Sequence, residues 1–127
     1  MDKLKVLIAD DSPIIRFELI DVLEEIGCEI VGEAENGVQA VELFKQFDPA
    51  VVTLDIIMPE KDGITALKEI LQIKPTTKVI MVTAMGSKQT LFECIKAGAF
   101  DFIEKPFVKE KVVQTFQKVQ KVLTTTP

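Results

Sequence analysis

The sequence predicts an α/β domain: a doubly wound parallel sheet of five strands in the order 2-1-3-4-5, covered by helices on both faces. Three observations lead there. Short strand-like runs alternate with segments of helical spacing along the whole chain, the pattern of consecutive βαβ units. Right-handed crossovers then distribute the helices over both faces of one sheet. The runs also differ in kind. Those at residues 6–9, 51–54 and 79–82 are mostly apolar, as strands buried on both faces are, whereas the second and fifth mix in charge and suit the edges.

The elements follow in order. Val6-Leu7-Ile8-Ala9 forms the first strand and runs into Asp10-Asp11. Ser12-Pro13 starts a helix, with serine as N-cap and proline at the first helical position. Ile15, Leu19, Leu23 and Ile26 fall at helical spacing, and Gly27 ends that helix. The second strand covers about residues 29–34. Asn36-Gly37 turns into a helix with an apolar stripe of Ala40, Val41, Phe44 and Phe47, stopped by Asp48-Pro49. Val51-Val52-Thr53-Leu54 runs into Asp55, and a loop from Met58-Pro59 to Gly63 leads to the third helix, with Ile64, Leu67, Ile70 and Leu71. Val79-Ile80-Met81-Val82 leads to Thr83, and Gly86-Ser87 sets up a fourth helix with Leu91 and Ile95 facing inward and Gly98 closing it. The fifth strand spans about residues 100–104 and ends at Lys105-Pro106. Val108, Val112, Phe116, Val119 and Leu123 share one side of the last helix.

The 127 residues fit one domain, assigned to residues 1–123, with 124–127 as a flexible tail. A hydrophobic fraction of 47% supports a real core, and a net charge of −5 argues against nonspecific DNA binding. The charge is uneven: residues 1–63 hold 5 basic and 15 acidic residues, residues 64–127 hold 10 and 5. Two ordinary solvated faces would explain this, as would an acidic metal edge opposite a basic docking face. Cys28 and Cys94 have no metal-type spacing and sit in apolar company, which predicts reduced, buried thiols. Neither a secretory signal nor an apolar run of membrane-spanning length is visible, so the expected location is cytoplasmic. No output domain is expected after the last helix, so the chain is expected to act through its own surface.

The chemistry lies at the strand ends. Ligands of an open parallel sheet bind outside its carboxyl edge, at the switch point between strands one and three. Asp10, Asp11, Asp55, Thr83 and Lys105 all fall on that edge. Each alone has an ordinary explanation as a cap, a turn residue or a solvated charge. Ser12 already fills the cap, however, and the joint placement is not ordinary. Three clustered carboxylates repel one another unless a cation joins them, and oxygen-only ligands favour Mg2+. Asp55, alone on a central strand, is the expected nucleophile for an aspartyl phosphate. The cation, Lys105 and the Thr83 hydroxyl or nearby N–H groups would share the phosphoryl oxygens.

Asp10-Asp11, Asp55 with Met58-Pro59 and Gly63, Thr83-Ala84, and Lys105-Pro106 resemble the receiver domain of two-component response regulators, over essentially the whole chain. The length and the segments Ala84-Met85-Gly86 and Gly98-Ala99-Phe100-Asp101-Phe102 are most similar to stand-alone chemotaxis regulators. The resemblance implies a flavodoxin-like sandwich with Asp55 as phosphoacceptor and a histidine kinase as donor. It implies Mg2+ on Asp11, Asp55 and the Ile57 backbone carbonyl, with Asp10 close to the ion or linked through water. Thr83 and Phe102 become the switch pair, and the Lys105–Pro106 bond is implied to be cis. A downstream target, on this analogy a flagellar motor switch component, and a phosphatase become the partners, with no direct nucleic acid or membrane contact. The protein would not be an enzyme beyond its own phosphorylation and dephosphorylation.

Phe102 lacks a hydroxyl, so a switch there would work by packing, and a plain core phenylalanine is the competing reading. Ile57 and Met85 are expected to shield the acyl phosphate from water, against a bland reading as loop residues. The face formed by helix four, strand five and helix five, with Lys88, Lys96, Lys109, Lys111, Lys118 and Lys121, would be the output surface. Two alternatives stand beside this: a receiver cut from a longer regulator or hybrid kinase, and a Mg2+-dependent haloacid-dehalogenase-type phosphohydrolase. The latter family places a second Asp where this chain has Ser12.

Overall fold

The computed structural model describes residues 3–84 and 87–124. Five strands alternate with five helices: β1 (Lys5–Ala9), α1 (Pro13–Glu25), β2 (Glu29–Ala34), α2 (Gly37–Phe47), β3 (Val51–Leu54), α3 (Gly63–Ile73), β4 (Lys78–Ala84), α4 (Lys88–Lys96), β5 (Asp101–Lys105) and α5 (Lys109–Thr124). The strands form one parallel sheet in the order β2-β1-β3-β4-β5, as expected from their apolar content. Among the described residues no helix is long and apolar enough to cross a membrane.

Alternation along each strand builds two cores. Leu7, Val52, Leu54, Val79 and Met81 face α2, α3 and α4, where Ala40, Phe44, Leu67, Ile70 and Cys94 meet them. Val6, Ile8, Val51, Ile80 and Ile103 face α1 and α5, where Leu19, Leu23, Val112, Phe116 and Val119 cover them. Both cysteines are free and buried, as their apolar neighbours suggested.

Ser12 caps α1 as expected, and Asn36, read in the sequence only as a turn residue, caps α2. The Ser12 hydroxyl accepts from the N–H of Ile15, and Asn36 Oδ1 accepts from Gln39. Asp62 caps α3 by accepting from Thr65, a role its place in the preceding loop did not reveal. Several apolar stripes end sooner than periodicity implied. Phe47 is 40% exposed and Ile95 46% exposed. On α4 the inward position is Cys94, with Leu91 half-buried; a short helix needs only one i, i+3 line, and a small thiol fills it. Val108 precedes α5 and is exposed, and past Val119 that helix has no buried residue through Leu123. β5 starts one residue later than expected. Residues 125–127 of the expected tail lie outside the described residues, as does Met85.

Thr53, at the centre of the sheet, is 1% exposed, and its Oγ1 has no hydrogen-bond partner among the described residues. A hydroxyl stripped of water without replacement costs free energy. Thr53→Val keeps the shape and removes that group. We expect it to stabilise the fold by about 1 kcal/mol, read by urea denaturation followed by circular dichroism. A destabilised variant would refute this.

Candidate functional site

The acids are placed by backbone bonds that continue the ladder past the strand ends. The N–H of Asp10, just beyond β1, donates to Ala34 O at 3.0 Å, and that of Asp55, just beyond β3, donates to Ala9 O at 3.0 Å. Asp10 and Asp55 are therefore pinned side by side at the switch point, 1% and 7% exposed, with Asp11 exposed beside them. One carboxylate oxygen from each of the three lies within 4.8 Å of the others. Lys105, the last residue of β5, reaches across the position of β4. Its Nζ stands 2.7 Å from Asp10 Oδ2 and 3.0 Å from Asp55 Oδ2. The remaining Asp10 oxygen accepts from Ser12 N at 2.9 Å, and that of Asp55 accepts more weakly from Ile57 N at 3.4 Å.

One ammonium thus serves two buried carboxylates. Burial pushes the Asp10 carboxyl above its ordinary range; the Lys105 and Ser12 hydrogen bonds and the Lys105 charge pull it down without cancelling this, and the Asp55 charge adds to it. Burial would lower Lys105, but its hydrogen bonds to Asp10 and Asp55 and their charges outweigh burial and raise it. The two ends of one ion pair differ in how well they are compensated because the lysine has two anions and Asp10 has a share of one cation. Uncompensated anionic charge is what a divalent cation relieves. Opposite ligands on Mg2+ stand about 4.2 Å apart, twice a bond of about 2.1 Å. The carboxylate spread of up to 4.8 Å therefore closes with a small shift or one bridging water. With oxygen donors alone, Asp10, Asp11 and Asp55 fit a hard ion, and this is an acidic pocket of the kind at which receiver domains bind Mg2+.

The loop after Asp55 is held by close backbone approach. A Cβ on Gly63 would overlap the Asp55 carbonyl oxygen, and one on Gly37 would overlap the Lys61 carbonyl oxygen. Gly37 was legible only as a turn residue; its neighbour across the fold is not visible in sequence. Ile57, in this loop, is 77% exposed. Thr83 is 3% exposed near the end of β4, beside β5 in the register Thr83↔Glu104 and Ala84↔Lys105. Phe102 pairs with Met81, is half-buried, and packs against the core on the α2–α4 face. By alternation Thr83 faces the same side. The Lys105–Pro106 bond is cis. The structure thus brings Asp10, Asp11, Asp55 and Lys105 together, with Thr83 on the strand next to Lys105 and Phe102 further down β5. One residue went unnoticed in the sequence: Arg16, which donates to the Asp10 backbone carbonyl at 2.6 Å.

A family model for the response regulator receiver domain matches residues 6–117. The chemotaxis protein CheY of Thermotoga maritima is 49% identical over 117 residues, spanning 92% of this chain and 98% of that protein. CheY of Bacillus subtilis is 49% identical over 114 residues, spanning 90% and 95%. Among solved structures, the CheX–CheY–BeF3–Mg2+ complex from Borrelia burgdorferi has a chain that superposes with a TM-score of 0.88 at 37% identity, covering 91% of this chain and 88% of that one. These matches favour neither the phosphohydrolase nor the excised-receiver alternative. The chain belongs to the response regulator receiver domain family, as a homologue of the chemotaxis protein CheY within two-component signalling.

Proposed function

We propose that this protein is a chemotaxis response regulator switched by phosphorylation of Asp55, with residues 1–123 as its receiver unit. One observation carries the reading: Asp55 stands buried beside Asp10, within reach of both Asp11 and the Lys105 ammonium. An Asp55 oxygen attacks the phosphorus of a phosphohistidine on a histidine kinase. The N–P bond breaks, and the imidazole leaves with the electron pair and takes a proton from water. Bound Mg2+ supplies charge neutralisation for the phosphoryl oxygens. Asp11, Asp55 and the Ile57 carbonyl would hold that ion, with Asp10 close to it or linked through water. Lys105 turns from the carboxylate to a phosphoryl oxygen, and Thr83 donates its hydroxyl to another. The departure of Thr83 from its place on the sheet face leaves room for Phe102 to turn inward, a switch made by packing. The surface of α4, β5 and α5 then changes its affinity for a target, on the chemotaxis analogy a flagellar motor switch component. A phosphatase resets the protein, which works in the cytoplasm without acting as an enzyme on other substrates.

The test is incubation with Mg2+ and acetyl phosphate followed by intact mass. The expected product carries one phosphoryl group, and chelation of Mg2+ prevents its formation. Absence of labelling, or sustained hydrolysis of a generic phosphate ester, would overturn the reading.

Ile57 adds a kinetic prediction. Its exposed side chain stands two residues after the nucleophile, where an apolar group keeps water from an in-line approach to the acyl phosphate. Ile57→Asn, which can hold a water, should lose the phosphoryl group several-fold faster in a time course read by mass. An unchanged lifetime would reject shielding.

A further inference from the structure

Arg16 lies on α1 with its side chain 12% exposed. Its guanidinium has two occupied ends. Nη1 donates to the Asp10 carbonyl at 2.6 Å, and Nε donates to Glu33 Oε1 on β2 at 3.0 Å, with Glu35 Oε1 4.0 Å from Nη2. The Asp10 carbonyl belongs to the peptide that joins Asp10 to Asp11. Among the described residues no hydrogen bond holds the Asp11 carboxylate, so its position depends on the plane of that peptide. The Asp10 side chain is fixed separately, by Ser12 N and Lys105.

We propose that Arg16 is a positioning residue for the cation: its fork ties the β1–α1 turn to the end of β2 and thereby fixes the Asp10–Asp11 peptide from which two metal-facing carboxylates project. This rests on the assignment of Asp10, Asp11 and Asp55 as cation ligands. A planar fork satisfies a carbonyl and a carboxylate at once; a lysine ammonium on a flexible stem does not hold the same two partners in one plane. Groups behind the ligands of a metal commonly set its affinity by 10- to 100-fold. The sign of the effect is diagnostic. Arg16 is a cation close to a cation site, so charge alone predicts tighter Mg2+ binding when it is removed. Positioning predicts weaker binding.

The experiment titrates the full chain with MgCl2 by calorimetry and records thermal unfolding in chelator and in saturating Mg2+. Arg16→Met and Arg16→Lys are compared with wild type, together with Glu33→Gln, which leaves Arg16 in place but loosens its outer anchor. We expect the Mg2+ dissociation constant to rise about 10-fold in both Arg16 variants, with a smaller rise in Glu33→Gln. The gain in unfolding temperature from Mg2+ should shrink in the same order. A residue of merely structural importance would lower stability equally with and without Mg2+. Unchanged or tighter Mg2+ binding in Arg16→Lys and Glu33→Gln would overturn the proposal while sparing the cation site. Absence of Mg2+ binding in the wild type would overturn both.

Discussion

Asp55→Asn should take up no phosphoryl group from acetyl phosphate under conditions where the wild type gains one. The substitution leaves the shape of the site but removes the nucleophile, along with one cation-facing carboxylate and one of the two anions that Lys105 serves. Asparagine matches aspartate in shape, so β3 and the loop clamped by Gly63 keep their places, and the Asp55 N–H bond to Ala9 is untouched. Lys105 keeps Asp10 as a partner at 2.7 Å, so no buried charge is orphaned. An amide nitrogen or oxygen is a poor nucleophile toward phosphorus at neutral pH, and no hydroxyl substitutes for it on the same strand end. The expected loss is therefore complete rather than partial. Intact mass, with circular dichroism as the control for folding, decides. Labelling of Asp55→Asn to the wild-type level would move the nucleophile to Asp10 or Asp11 and end the division of roles among the three acids.

The site was largely legible because its residues stand at strand ends. Once the apolar runs at β1, β3 and β4 are recognised, Asp10, Asp55 and Thr83 have one edge to occupy, and Lys105 follows from β5. The order of strands was legible for the same reason: burial on both faces leaves no exposed positions in β3, whereas β2 keeps Glu29 and Glu33 exposed. What sequence could not show is contact between elements far apart in the chain. Arg16 meets Glu33 and the Asp10 carbonyl only after β2 pairs with β1, and Gly37 needs its bare backbone only because Lys61 arrives there. Helix faces were the least secure. A stripe such as Leu91 and Ile95 states that a helix is amphipathic but not which line of it meets the sheet, and on α4 that line runs through Cys94. The basic C-terminal half is also less free than its composition implied. Lys109 pairs with Glu25, Lys118 with Asp101, and Lys105 is held inside the acidic pocket.

Lys105→Met should destabilise the metal-free protein by about 3 kcal/mol near neutral pH, the lower end of what breaking a buried ion pair costs. The magnitude follows from the shared lysine. Asp10 and Asp55 remain 1% and 7% exposed, and without Lys105 neither carboxylate keeps an ion-pair partner among the described residues. The pH dependence follows in sign from the shifts already present. Asp10 is raised in the fold, so its ionisation opposes folding: the penalty is absent below the ordinary carboxylate range and grows as pH rises through the folded value. Lys105 is also raised, so its contribution is complete below its unfolded value and is lost only as pH climbs through its higher folded one. Between those ranges the lysine matters most. The gap between wild type and Lys105→Met should therefore narrow as pH falls into the carboxylate range, where a protonated Asp10 needs no partner. Mg2+ should close the gap from the other side, since a divalent ion neutralises the same carboxylates, and the variant should gain more stability from Mg2+ than the wild type does. Asp10→Asn supplies the converse: with two anions reduced to one, Lys105 and Asp55 form a balanced pair, and adding this change to Lys105→Met should recover part of the loss. Urea denaturation across pH, in chelator and in Mg2+, measures all of these. A stability gap independent of both pH and Mg2+ would show that Lys105 contributes packing rather than charge, and the electrostatic account of the pocket would have to be abandoned.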